Sequence, residues 1–151
     1  MRTGLPKRIL FPTDFTDTSQ AALKQAAAVA ESCSAELVVL YADQFIPPLD
    51  VELELPNNFI DLNEKEKKEV VENYLKKEVA AIVPPGVHVD PVVVIGSPVP
   101  AILQTAKEKD ADWIVMGTHG RSGFQRLVEG SVTEEVLRHA DRPVLALHAT
   151  A

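Results

Sequence analysis

The sequence predicts an α/β protein built on an open parallel sheet with helices on both faces. Short apolar segments of strand length alternate along the chain with longer segments whose apolar residues recur every three or four positions. Strands that alternate with helices form a parallel sheet, because each crossover helix packs against one of its faces. The chain has 151 residues, of which 46% are hydrophobic and 25% are charged, which fits a single globular domain spanning 1–151.

The first 42 residues contain two predicted strands and the predicted helix between them. Lys7–Pro12 is a short apolar strand, and Glu36–Ala42 is a continuous apolar run that indicates burial on both faces. A helix is predicted from Asp17 to about Cys33, with Asp17 and Gln20 at capping-box spacing. One face of this helix carries only apolar residues, namely Leu23, Ala26, Ala27 and Ala30.

The rest of the chain begins with a proline-broken connection over residues 43–60, after which a helical period runs from Asp61 to about Val83. Ser97 is the predicted cap of the third helix, with Pro98 at its first position. The remaining predicted elements are strands Val87–Ile95, Ala111–Met116 and Pro143–Leu147 and a last helix from Ser131 to about His139. The order is therefore β-α-β-α-β-α-β-α-β.

Charge and composition argue against several classes of protein. A net charge of −7 disfavours nucleic acid as the main partner. The apolar runs all fall short of the ~18 residues of a membrane span, and the basic N-terminus leads into no signal-peptide core. The single cysteine, Cys33, has no partner for an internal disulfide, which indicates a reducing compartment. We therefore expect a cytoplasmic protein that binds neither nucleic acid nor membranes.

The strongest candidate for a binding site is the glycine-rich segment from Gly117 to Ser131, which contains four of the seven glycines. It joins the end of a predicted strand to the start of a helix, where open α/β sheets bind ligands. Glycine lets backbone amides approach an oxyanion closely, and a helix N-terminus adds unpaired N–H groups and partial positive charge. The segment also contains Arg121 and Arg126 against one acid, Glu129. These features favour phosphate binding.

Each of these signals also has a purely structural explanation. The glycines fit ordinary turns, and Ser131 with Glu134 forms a capping box that requires no ligand. Asp14 is as well placed to cap the following helix as to bind a ligand. The common phosphate-binding motifs, GxxxxGK[ST] and GxGxxG, are absent.

The glycine spacing resembles a specific family signature. Gly117-x-x-Gly120, nine residues, and Gly130-Ser131 reproduce the pattern G-2x-G-9x-G-(S/T) of the ATP-binding branch of the universal stress protein family. ILFPTDFTDTSQAAL is similar to the first strand and aspartate of that family. ELVVLYA is similar to its second strand, and the run from ADWIVMG to DRPVLAL to its C-terminal third. The resemblance implies a five-stranded sheet in the order 3-2-1-4-5.

The resemblance also implies a nucleotide site and the role of each residue in it. Asp14 would bind the ribose hydroxyls, Pro12 and Thr13 would flank the base, and Ala42 would line the adenine pocket. Met116 and Gly117 would contact adenine and ribose. The phosphates, with Mg²⁺ or Mn²⁺ between them, would be surrounded by His119, Gly120, Gly130, Ser131, Val132 and Thr133. Ala42 departs mildly from the family, which often has a larger aliphatic residue there.

Two classes of function are compatible with such a site. One is a regulatory stress-response protein in which ATP or another adenine nucleotide controls conformation or assembly, acting on an unidentified protein partner. The other is a slow ATPase or phosphotransferase. Phosphoryl transfer requires a positioned base and strong charge neutralisation, and the glycine-rich segment contains no lysine, which favours regulation. The family pairs its last strand with a symmetry mate, so we also expect a homodimer through strand 144–147.

Overall fold

The computed structural model describes residues 4–44, 55–118 and 132–148. Within these ranges the elements are β1 (Arg8–Thr13), α1 (Asp17–Cys33), β2 (Glu36–Asp43), a 3₁₀ helix (Phe59–Asp61), α2 (Glu64–Ile82), β3 (Val89–Ile95), α3 (Pro98–Glu108), β4 (Trp113–Gly117), α4 (Val132–His139) and β5 (Val144–Leu147). The predicted alternation of strands and helices is confirmed. The predicted boundaries differ from the observed ones by at most three residues.

The five strands form one parallel sheet in the order β3-β2-β1-β4-β5, which confirms the predicted topology. The central strand, β1, pairs with β2 along its whole length, from Arg8 opposite Glu36 to Thr13 opposite Tyr41. On its other side β1 pairs with β4, with Leu10 opposite Ile114. The direction in which successive strands are added therefore reverses between β1 and β4.

The helices cover both faces of the sheet, because the chain crosses in opposite directions in its two halves. Helices α1 and α2 pack on one face, around residues such as Phe11, Leu23 and Leu75. Helices α3 and α4 pack on the other face, around Leu10 and Ile102. The predicted apolar face of α1 is buried as expected, at Leu23, Ala26, Ala27 and Ala30. No helix in the described part of the chain is long and apolar enough to cross a membrane.

The start of α2 shows why one predicted boundary was wrong. Helix was expected from Asp61, but residues 59–61 form a 3₁₀ turn and α2 begins at Glu64. The start is set by Asn63, whose side chain accepts a hydrogen bond from the Glu66 backbone at 2.9 Å while the Glu66 carboxylate accepts from the Asn63 N–H at 3.3 Å. This reciprocal capping box satisfies two backbone donors that would otherwise lack partners.

One polar contact joins α1 to α2 between their packed faces. The Gln20 amide donates to Glu78 Oε1 at 2.5 Å, and Glu78 Oε2 is buried without a hydrogen-bond partner among the described residues. Burial raises the pKa of the Glu78 carboxyl above its ordinary value, against the lowering effect of the Gln20 hydrogen bond, and the negative charge of Asp14 raises it further. The folded protein therefore holds the Glu78 proton more tightly than the unfolded chain does.

This shift predicts how Glu78 affects stability across the pH range. Because the folded-state pKa is raised, the contribution of Glu78 is fully present below the unfolded-state pKa and is lost as the pH rises through the folded-state pKa. Glu78→Gln keeps an oxygen that accepts from Gln20 and removes the buried charge. We expect it to raise the melting temperature at pH 8 and to change it less at pH 4.

The control is Glu69→Gln, which removes an exposed carboxylate from the same helix. Thermal unfolding followed by circular dichroism from pH 4 to pH 8 measures both variants. A Glu78→Gln protein that melts below the wild type at pH 8 would show that the charged form of Glu78 stabilises the fold.

Candidate functional site

The turn between β1 and α1 is held by hydrogen bonds to the Asp14 carboxylate. Asp14 Oδ1 accepts from the Thr16 backbone N–H at 3.1 Å and from the Thr16 hydroxyl at 2.6 Å. Thr16 is the N-cap of α1, and its hydroxyl oxygen accepts from the Ser19 N–H at 3.2 Å. The predicted capping box of Asp17 and Gln20 is therefore wrong, since the cap lies one residue earlier. Asp14 does not cap the helix itself but holds the residue that does.

Two buried hydroxyls close the same turn from within. The hydroxyls of Thr13 and Ser19 lie 3.0 Å apart, and these residues are 7% and 5% exposed. The Asp14 N–H donates to Ser19 Oγ and the Phe15 N–H donates to Thr13 Oγ1, each at 3.3 Å. The backbone around Asp14 is therefore fixed by side chains at the end of β1 and in the first turn of α1.

Phe15 lies in the left-handed region of backbone space, with φ at +66°. This conformation costs a residue with a side chain roughly 1–2 kcal/mol. The Phe15 ring is buried, stacked on Tyr41 at 4.5 Å between centroids and edge-on to Tyr74 at 5.2 Å. Aromatic pairs of this kind contribute about 0.5–1.5 kcal/mol each beyond burial, which is enough to offset the strain.

The end of β2 forms the next part of the site. Ala42, the residue expected to line the adenine pocket, is 9% exposed and packs in the cluster on the α3 face of the sheet. Beyond it, the Tyr41 hydroxyl donates to Asp43 Oδ2 at 3.2 Å. Ser97 is the N-cap of α3 as predicted, but its hydroxyl accepts from the Gln44 amide at 2.7 Å rather than from the helix. The ends of β2 and β3 are thereby tied together.

The end of β4 is fixed by the elements on both of its sides. The Thr133 hydroxyl in the first turn of α4 donates to the Gly117 carbonyl at 2.9 Å. The Thr118 N–H donates to the Leu147 carbonyl at 2.9 Å, and the Thr118 hydroxyl lies 3.2 Å from His148 Nδ1. The start of α4 therefore lies at the end of β4, where the glycine-rich segment begins.

The described residues bring together a large part of the predicted site at the carboxyl edge of the sheet. They are Pro12 and Thr13 at the end of β1, Asp14 directly after it, Ala42 in β2, Met116 and Gly117 at the end of β4, and Val132 and Thr133 at the start of α4. The predicted residues His119, Gly120, Gly130 and Ser131 lie outside the described residues, as do Arg121 and Arg126.

Sequence reasoning missed four residues that shape this edge: Phe15, Thr16, Ser19 and Tyr74. The spacing of Thr13, Thr16 and Ser19 at intervals of three was the available signal, because hydroxyls at this spacing before a helix commonly cap it. Nothing local identified Phe15 or Tyr74, since their contact joins positions 59 residues apart.

The described residues contain no group of three or more His, Cys, Asp or Glu side chains able to hold a metal ion. A separate cleft of about 240 Å³ lies between α3 and the segment after α4, lined by residues that include Lys107, His139 and Arg142. The Arg142 guanidinium already makes hydrogen bonds within the protein, because it donates to Asp141 Oδ1 and to the carbonyls of Ala106 and Ala111. This cleft is formed by residues that precede β4 and β5, whereas the predicted site follows β1 and β4.

Comparison with known proteins identifies relatives over nearly the whole chain. The model of the universal stress protein family matches residues 6–148. Universal stress protein MJ0577 from Methanocaldococcus jannaschii is 31% identical over 160 aligned positions, which cover 93% of this chain and 94% of the relative. Universal stress protein YxiE from Bacillus subtilis is 34% identical over 146 positions, which cover 91% and 96%.

Solved structures share the same fold. The structure of MJ0577 matches with a TM-score of 0.70 at 26% identity, covering 97% of this chain and 99% of that one. A universal stress protein family member from Burkholderia pseudomallei matches with a TM-score of 0.67 at 28% identity, covering 98% and 100%. A universal stress protein in complex with cAMP matches with a TM-score of 0.66 at 24% identity, covering 97% and 100%. From the family match and these relatives, the chain belongs to the universal stress protein family.

Proposed function

We propose that this chain is a regulatory protein of the ATP-binding branch, which binds an adenine nucleotide at the carboxyl ends of β1 and β4. The observation that carries the proposal is the pairing of β1 with β4, the point at which the strand order reverses. Asp14 follows β1 there, and Gly117 ends β4. Ligands of open α/β sheets bind in the crevice at such a switch point. A cytoplasmic location is part of the proposal.

The adenosine half of the ligand would be bound by residues from three strand ends. A carboxylate has about four lone-pair positions, so accepting from Thr16 is compatible with accepting from ribose hydroxyls as well. The buried side chains of Ala42 and Met116 offer an apolar wall for the base, with Pro12 and Thr13 beside it. The contact to Thr16 supports the ribose role, because it orients the carboxylate before any ligand arrives.

The phosphates would lie against the glycine-rich segment and the start of α4. The Thr133 hydroxyl is engaged by the Gly117 carbonyl, so we assign its backbone N–H, with that of Val132, to the phosphates. The positive end of the helix dipole favours an anion at this position. His119, Gly120, Gly130 and Ser131 complete the proposed phosphate site, and Mg²⁺ or Mn²⁺ would accompany the phosphates.

We propose that the protein acts through binding of the nucleotide rather than through its hydrolysis. Catalysis requires contacts that are stronger in the transition state than with the bound nucleotide. The residues assigned to the phosphates supply amides, a helix terminus and a histidine. These groups bind the phosphates of the bound nucleotide as well as they bind those of a transition state. The complex of a universal stress protein with cAMP shows an adenine nucleotide on that protein and supports the choice of ligand class.

Assembly is the second part of the proposal, with β5 as the interface of a homodimer. β5 is an edge strand of the sheet, and Leu145 on it is 37% exposed, with Leu137 of α4 51% exposed. An apolar edge strand is prone to pair with another chain unless it is covered. A two-fold axis beside β5 would cover the edge in both copies with the same surface.

The ribose assignment predicts a selective loss on removing the Asp14 carboxylate. Asp14→Ala should weaken ATP binding by about 1–3 kcal/mol, the range for hydrogen bonds to a charged group, and should weaken 2′-deoxy-ATP binding less. Asp17→Ala, which removes an exposed carboxylate three residues away, should leave both affinities unchanged. Isothermal titration calorimetry measures all four values. Equal losses for the two nucleotides would mean that Asp14 serves only the turn.

The phosphate assignment predicts that Gly130 tolerates no side chain. Gly130→Val should abolish detectable ATP binding, because a Cβ there would occupy space meant for the phosphates. Gly86→Val is the matched control, since a Cβ at Gly86 meets nothing within 4 Å. Calorimetry gives the affinity and circular dichroism the fold. A folded Gly130→Val protein with unchanged affinity would overturn the phosphate assignment.

The dimer proposal predicts that a charged residue introduced into the edge strand β5 lowers the mass of the sedimenting species. Leu145→Lys should shift sedimentation toward the monomer, because like charges would face each other across the two-fold axis. Ile60→Lys, at a residue 88% exposed and remote from β5 in the sequence, should sediment like the wild type. Analytical ultracentrifugation at micromolar concentration measures both. A monomeric wild type would refute the interface.

A further inference from the structure

The backbone next to Asp14 contacts β2 and α2 through three rings, Phe15, Tyr41 and Tyr74, which we call the aromatic trio. Phe15 follows Asp14 directly, Tyr41 lies on β2, and Tyr74 lies on α2. We propose that the aromatic trio positions the Asp14 carboxylate, so that the packing of α2 controls the affinity of the nucleotide site for ribose. This inference rests on the proposed function and adds a route by which that site is regulated.

The strained residue of the turn is Phe15, the member of the aromatic trio that the other two rings contact. Phe15 has φ at +66° and is 5% exposed, whereas its neighbours Asp14 and Thr16 are only half-buried. A bulky residue persists in the left-handed region only where its surroundings impose it. Burial of the Phe15 ring holds the backbone in this left-handed conformation. That conformation determines where the adjacent Asp14 carboxylate lies.

Two elements hold the Phe15 ring from two directions. The Tyr41 ring stacks on it, with 4.5 Å between centroids and an angle of 23° between the planes. The Tyr74 ring meets it edge-on, at 5.2 Å and 89°. Tyr41 is fully buried on β2, which is paired with β1 in the centre of the sheet. Tyr74 lies on α2, which packs on one face of the sheet rather than within it.

A second contact ties α2 to the same part of the protein. Gln20, in the first turns of α1, donates to Glu78 of α2, and the Asp14 charge is near enough to Glu78 to raise the pKa of that carboxyl. Tyr74 and Glu78 are four residues apart and so lie on one face of α2. That face therefore contacts both the residue after Asp14 and the first turns of the helix that follows it.

Loss of the Tyr74 ring would leave Phe15 stacked on Tyr41 alone among the described residues. The turn would then relax toward ordinary backbone angles, and Asp14 would lose the orientation that ribose binding requires. Coupling between two sites is reciprocal. A partner that displaces α2 would therefore weaken nucleotide binding, and bound nucleotide would resist that displacement.

The test is the ratio of the dissociation constants for 2′-deoxy-ATP and ATP in three α2 variants. Tyr74→Leu should weaken ATP binding by about fivefold or more and bring the ratio close to one, because the lost contact is the one to ribose. Tyr74→Phe keeps the ring and should restore the wild-type ratio. Val79→Ala truncates a buried side chain on the same helix and should lower stability without changing the ratio.

A double-mutant cycle separates positioning from general damage. If Tyr74 acts through Asp14, Tyr74→Leu should have little further effect on ATP affinity in an Asp14→Ala protein. Additive losses, or a Tyr74→Leu ratio equal to that of Val79→Ala, would overturn the inference while leaving the proposed function intact. Failure of Asp14→Ala alone to weaken ATP binding would instead overturn the proposed function.

Discussion

The proposed nucleotide site depends on the central position of β1 in the sheet. Its residues Ile9, Leu10 and Phe11 are fully buried, and it pairs with β2 on one side and β4 on the other. Because the chain adds strands in opposite directions from this point, the crossover connections leave the sheet on opposite faces. The carboxyl ends of β1 and β4 are thus adjacent with no connection running across them, which is the geometry of a switch-point crevice.

Polar contacts fix both edges of this crevice. Asp14 is oriented by Thr16, and Gly117 is tied to the start of α4 by the Thr133 hydroxyl. Pre-oriented groups lose less conformational entropy when a ligand binds. This pre-orientation is consistent with the proposed role of holding a nucleotide, and the strain at Phe15 is a cost of it.

The order of elements could be predicted from the sequence pattern, and the strand order from the resemblance of the chain to the family. Glycine spacing and strand-like apolar runs are local patterns, and so they can be identified from the sequence without a structure. The cap of α1 was misassigned by one residue because Thr16 and Asp17 are both good caps, and the contact from Asp14 decides between them. The roles of Phe15 and Glu78 depend on contacts between distant segments, which no local pattern contains.

The claim that an adenine nucleotide binds between β1 and β4 is tested most directly by ¹H–¹⁵N NMR during titration with ATP and Mg²⁺. We predict that the amide shifts concentrate at Asp14, Thr16, Gly117 and Thr133, with Lys107 and Arg142 in the opposite cleft unchanged. Shifts centred on that cleft, or no saturable shift at millimolar nucleotide, would contradict it.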